Sequence, residues 1–123
     1  MTKEELWKEN IEYYREMIDK YKMGQEPMID LINKLDAAGL CKVFYPSNSH
    51  ESLVLSMFDN FKDRCEHPWV VITYEPMKRS FAIAYRNGYD PIIYDKNCEG
   101  GFIEGKFGKI KEWMISRDKE VYL

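Results

Sequence analysis

Few residues in this chain are of a type and spacing that could do chemistry. Gly100-Gly101-Phe102-Ile103-Glu104-Gly105-Lys106 fits the GxxxxGK spacing in which backbone amides and a lysine cradle phosphates. Phe107 stands where a Ser or Thr must hold Mg²⁺, five residues separate Tyr94 from Gly100, and only 17 residues follow Lys106, too few for the acidic metal-binding strand of a nucleotide hydrolase. A glycine-rich hairpin is therefore expected there. Cys65 and His67 are two apart, with His50 and Cys98 as conceivable further ligands, but zinc sites ordinarily show a second close pair. No metal and no cofactor is expected. Cys98 lies near Asp95 and Glu99, whose charges oppose formation of a reactive thiolate. Two histidines and no GxSxG, HExxH or GxGxxG motif leave little acid-base machinery, so no catalytic residue is assigned and the chain is expected not to be an enzyme.

Residues that could bind are more numerous. Lys78, Arg79, Arg86, Tyr89 and Lys106 are the candidate contacts to a ligand or partner. Rings and cations on a sheet resemble the way single-stranded nucleic acid is held. The basic-Gly-aromatic signature of RNA-binding sheets is absent, however, and a net charge of −3 with pI near 5.5 attracts no phosphate backbone. Nucleic acid is not expected.

Trp7, Ile11, Tyr14, Ile18 and Tyr21 recur at spacings of four, three, four and three, a helical seam on a coiled-coil period, and self-association through that first helix is an expectation. Nine Tyr, three Trp, six Phe and seven Met exceed what one core of this size needs, and Tyr, Trp and Met are enriched at interfaces. The leading expectation is a non-enzymatic protein-binding protein, an inhibitor or adaptor that occupies a partner's surface. Its Lys-, Glu-, Ile- and Tyr-rich usage suggests a bacterial or phage origin. The alternative is a pocket for a nucleotide-like small molecule, with Tyr and Trp faces for a base and Arg79, Arg86 or Lys106 for phosphate.

The elements that must position these residues can be read from periodicity. Thr2 and Glu5 form a capping-box pattern ahead of the first helix, which should run to about Met23. Pro27 opens a second helix that buries Met28, Leu31, Ile32 and Leu35, and Gly39 caps it. Residues 41–45 alternate as a short strand closed by Pro46. Asn48 and Glu51 then suggest a capped helix through Leu53, Val54, Met57, Phe58, Phe61 and Cys65, a crossover that would set strand 41–45 parallel to strand 69–74. From Trp69 to Tyr94 an antiparallel meander is predicted, with strands 69–74, 80–86 and 92–94, a two-residue turn at Asn87-Gly88, and Phe81, Ile83 and Tyr85 facing the core. The small Ala82 and Ala84 on the opposite face leave room for a close-packed neighbour. Residues 102–107 could add a fourth strand. Phe107, Ile110, Trp113 and Met114 are spaced for a last helix, and residues 121–123 could pair with a sheet edge.

The fold class is therefore α+β: N-terminal helices and a C-terminal helix packed on a small mixed sheet built around the meander at 69–94. At 123 residues the chain should be one domain, helical over 1–40 and mixed over 41–123. No apolar run is long enough for a membrane span, and MTKEELWKEN lacks the cationic start and apolar block of a leader, so a cytoplasmic location is expected. Cys41, Cys65 and Cys98 are odd in number and widely spaced, which suggests reduced thiols.

Overall fold

A computed structural model shows, among the residues it describes, four helices and a five-stranded sheet. It describes residues 1–88 and 90–122, with the side chains of all these except 61, 65, 96–102 and 117–122. The order is α1 (Lys3–Asp19), α2 (Glu26–Ala37), a 3-10 turn (Leu40–Lys42), β1 (Tyr45–Ser49), β2 (Ser52–Ser56) and α3 (Phe61–Glu66). Then come β3 (Pro68–Glu75), β4 (Ser80–Asn87), β5 (Ile93–Glu99), a 3-10 segment (Gly100–Lys106) and α4 (Phe107–Tyr122). Each strand pairs with the next, so the sheet is an antiparallel meander, β1-β2-β3-β4-β5.

The α+β class holds, and the sheet is larger and more regular than the sequence suggested. No strand pair is parallel among the described residues. The expected strand at 41–45 is a 3-10 turn followed by the start of β1, because Val43 and Phe44 amides both bond back to Leu40 O (3.1 and 3.0 Å). Pro46 lies inside β1, on the sheet edge where a missing N–H costs nothing. The helix expected from Asn48 onward is instead a hairpin and the six-residue α3. Ser-Leu-Val-Leu-Ser is a strand apolar on both faces, with Leu53 and Leu55 in the core and Val54 on the other side. Asn60, not Asn48, caps α3, accepting from Asp63 N at 2.9 Å.

The meander is where the sequence placed it. Phe81, Ile83 and Tyr85 face the core as expected, opposite Tyr74, Ile72 and Val70 of β3. Asn87-Gly88 begins a longer link, since Tyr85 pairs with Ile93, and β5 runs on to Glu99, beyond the end expected for the third strand at 94. Residues 102–106 are 3-10, not strand, and α4 runs to Tyr122, so no terminal strand forms at 121–122.

One core holds the molecule together. Buried residues of α1 (Trp7, Tyr14, Met17), of α2 (Met28, Leu31, Ile32, Leu35) and of α4 (Phe107, Ile110, Trp113, Met114) converge on the same sheet face. Filling it contributes about 1.5–3 kcal/mol for each fully buried large apolar side chain. Thr2 caps α1 by accepting from Glu5 N at 3.1 Å, which stabilises the helix by about 1 kcal/mol. Gly39, at φ 83°, ends α2 as predicted, and Leu40 folds back into the core.

Candidate functional site

The helix seam divides in two. Trp7 and Tyr14 are buried in the chain's own core, Ile11 and Ile18 are half-buried, and Tyr21 is exposed beyond the end of α1 at Asp19. What the periodicity concealed is a polar clamp on the inward face. Trp7 Nε1 donates to Phe44 O (3.0 Å), Tyr13 OH to His50 O (2.6 Å) and Tyr14 OH to Glu51 O (2.9 Å). Asn10 Nδ2 donates to Asn48 Oδ1 (2.7 Å), and Asn48 Nδ2 to Tyr14 OH (3.2 Å). These bonds pin the β1–β2 hairpin, whose two-residue turn His50-Glu51 has a positive φ (55°) at His50 without glycine or asparagine to ease it. Burial raises the Tyr14 phenol well above its ordinary pKa.

The candidate cations are spread over the molecule. Arg79 and Arg86 stand near opposite ends of β4, roughly 23 Å apart along a strand. Lys106 pairs with Asp95 at 2.8 Å, tying the 3-10 segment to β5, so the GxxxxGK stretch is a 3-10 helix with its lysine engaged by a carboxylate. Lys78 pairs with Glu75 at 3.3 Å. Tyr89 and the side chains of Cys65 and Cys98 lie outside the described residues. Among the described residues no group of three or more His, Cys, Asp or Glu could hold a metal, and no helix is long and apolar enough to cross a membrane.

A groove of about 560 Å³ runs between α1 and α2. Its apolar floor includes Trp7, Ile11, Ile32 and Cys41, and Lys3, Lys8, Lys42, Glu4 and Asp36 line its rim. Burial pushes the Cys41 thiol up to about 12, with the Asp36 charge adding to the shift. The groove therefore holds a protonated thiol that is a poor nucleophile.

The second face of the sheet is the more distinctive surface. Registration aligns Ser47, Val54, Val71, Ala84 and Tyr94 in one row across it. A second row is Tyr45, Ser56, Trp69 and Arg86, and a third is Ser49, Ser52, Thr73 and Ala82. Val54 is only 2% exposed yet lies outside the core cluster, hemmed in on this outer face. Arg86 stacks over the Trp69 ring at 4.7 Å, and Ser52 and Thr73 hydroxyls bond at 2.6 Å. Among the outer positions of β1 to β4 only Glu75 and Arg86 are charged, although 32% of the chain is. The buried residues of α1, α2 and α4 all serve the inner face. The small Ala82 and Ala84 that suggested a close-packed neighbour thus lie, half-exposed, on the face opposite the one on which the buried residues of those three helices pack. Sequence alternation placed Arg86 opposite the core residues of its strand, but its stacking on Trp69 needs the β3–β4 register.

Neither a family model, nor a curated protein, nor a solved structure matches this chain.

Proposed function

We propose that the protein is a non-enzymatic binding protein, of inhibitor or adaptor type, that acts by laying the outer face of its sheet on a partner protein. The observation that carries this is the charge-poor outer face, a single plane of Val, Ala, Ser and Thr with a Trp69–Arg86 stack at one end and an exposed Tyr94 at its edge. Interface centres are depleted in charge and enriched in Trp, Tyr and Arg, the residue types that dominate binding energy when desolvated. Four charge-poor strands of five to eight residues give a patch on the order of 400 Å² in projection, about half of the roughly 800 Å² per partner in a standard interface. Small side chains let a partner's backbone or helix approach closely, and the sheet fixes the patch before binding, which lowers the entropic cost.

The test is a substitution that adds charge to this face without touching the core. Ala84→Arg and Val71→Lys point away from the core cluster, so both variants should fold. Affinity capture from cells of the source organism, quantified for wild type and variants side by side, should return proteins whose recovery falls at least tenfold with either variant. A partner recovered equally by wild type and both folded variants would sink the proposal.

A further inference from the structure

Two turns far apart in sequence meet at one end of the molecule. Residues 20–25 link α1 to α2, and residues 76–79 link β3 to β4. A Cβ at Gly24 would lie 3.5 Å from Pro76 Cβ, and Gln25 Nε2 donates to Tyr74 O at 3.4 Å, so the turns are packed together. Three large apolar-bodied side chains are left in water there: Tyr21 at 60%, Met23 at 41% and Met77 at 98% exposed. The segments 20–24 and 76–79 also carry Lys20, Lys22, Lys78 and Arg79 and no acidic residue, on a chain of net charge −3.

Lys20 and Lys78 reach Glu16 and Glu75 on the adjoining helix and strand (3.7 and 3.3 Å). Lys22 and Arg79 make no ion pair among the described residues. Both occupy positive φ, 53° and 51°, which a long side chain adopts at a cost and glycine or asparagine would adopt more easily. Strained turns that retain an uncommitted cation, beside exposed methionines, are features the fold itself does not require.

We propose that this end is a docking site for an acidic segment of a partner protein that also carries apolar side chains. Methionine thioethers are adaptable and polarizable enough to receive varied apolar groups. Arg79 offers a bidentate fork to a carboxylate, and Lys22 a second charge. A lipid headgroup layer fits less well, since polybasic membrane sites use clusters of four to eight cations and only two here are uncommitted. The site goes beyond the outer-face interface and uses different residues, so each can fail without the other.

The probe is a fluorescein-labelled peptide of repeating Asp-Glu-Leu-Phe, titrated by anisotropy at low salt against the full chain. The control peptide has Lys in place of both acids. Binding of the acidic peptide alone is expected, weakened at least tenfold in Lys22→Asn/Arg79→Asn, where asparagine keeps the backbone comfortable, and also weakened in Met77→Ser. Ala84→Arg should bind it as wild type does. Absence of binding, equal binding by all variants, or loss in Ala84→Arg would overturn the site. Binding to phosphatidylserine vesicles without binding to the peptide would also overturn it, assigning the surface to lipid.

Discussion

Changing Tyr14 to Phe removes one oxygen from the clamp between α1 and the β1–β2 hairpin and leaves the ring in place. Tyr14 is fully buried, and its ring meets Tyr13 edge-on at 5.6 Å, a contact that survives the change. Two bonds are lost: the donation to Glu51 O and the acceptance from Asn48 Nδ2. A net hydrogen bond is worth about 1 kcal/mol and a stranded buried partner about 1–3 kcal/mol more. Asn48 Nδ2 keeps a long bond to Ser52 O (3.4 Å), and Glu51 is only half-buried, so water can reach part of the vacated site. The penalty therefore falls near the lower end, about 2 kcal/mol, or roughly 6–10 °C in Tm for a domain of this size. Urea and thermal unfolding followed by circular dichroism at pH 7 measure it. A double-mutant cycle with Asn48→Ala should give a coupling of about 1 kcal/mol. A loss below about 0.5 kcal/mol, with no coupling, would refute the clamp as a determinant of the hairpin.

Three further outcomes are expected. The Cys41 thiol and Tyr14 phenol both have pKa values raised by burial. The folded state thus keeps their protons after the unfolded chain has released them, and the stability they contribute is complete below about pH 9 and lost as pH rises from there. Urea midpoints should fall between pH 8 and pH 11, less steeply in Cys41→Val, and an unchanged slope in that variant would remove Cys41 from the account. Ile18→Asp, half-buried on α1, should lower stability without altering the sedimentation coefficient, whereas a shift from dimer to monomer mass would establish α1 as an interface between copies. A panel of nucleotides should leave Tm unchanged, because Arg79 and Arg86 stand near opposite ends of β4 and Lys106 is paired with Asp95. A ligand at a hundred times its Kd would add about 2.7 kcal/mol and be seen at once.

Where periodicity was long and caps were explicit, the sequence was sufficient. Thr2 capping α1, Gly39 ending α2, the inward face of β4 and the buried stripe of α4 all stand as expected. The region 41–66 was misleading for two physical reasons. The turn at His50-Glu51 has none of the glycine or asparagine that announces a hairpin, and is held instead by tyrosines 37 positions earlier in the chain. Apolar residues on both faces of β2 also mimic a helical spacing when only one strand is in view. Of the candidate contacts, Lys78 and Arg79 were visible as a turn, but their meeting with Tyr21 and Met23 depends on Gly24 packing against Pro76. The outer face was half legible: alternation showed which residues of β4 it holds, and only the register across β1 to β4 shows that it is nearly free of charge there.

The outer face of the sheet is proposed to meet a partner protein. Hydroxyl-radical footprinting of the protein alone and in complex with its captured partner tests this most directly, because Trp69 and Tyr94 are reactive side chains on that face while Trp7 and Trp113 are buried in the core. Oxidation of Trp69 and Tyr94 should fall severalfold in the complex. Unchanged oxidation of both, in a complex shown to remain intact, would contradict it.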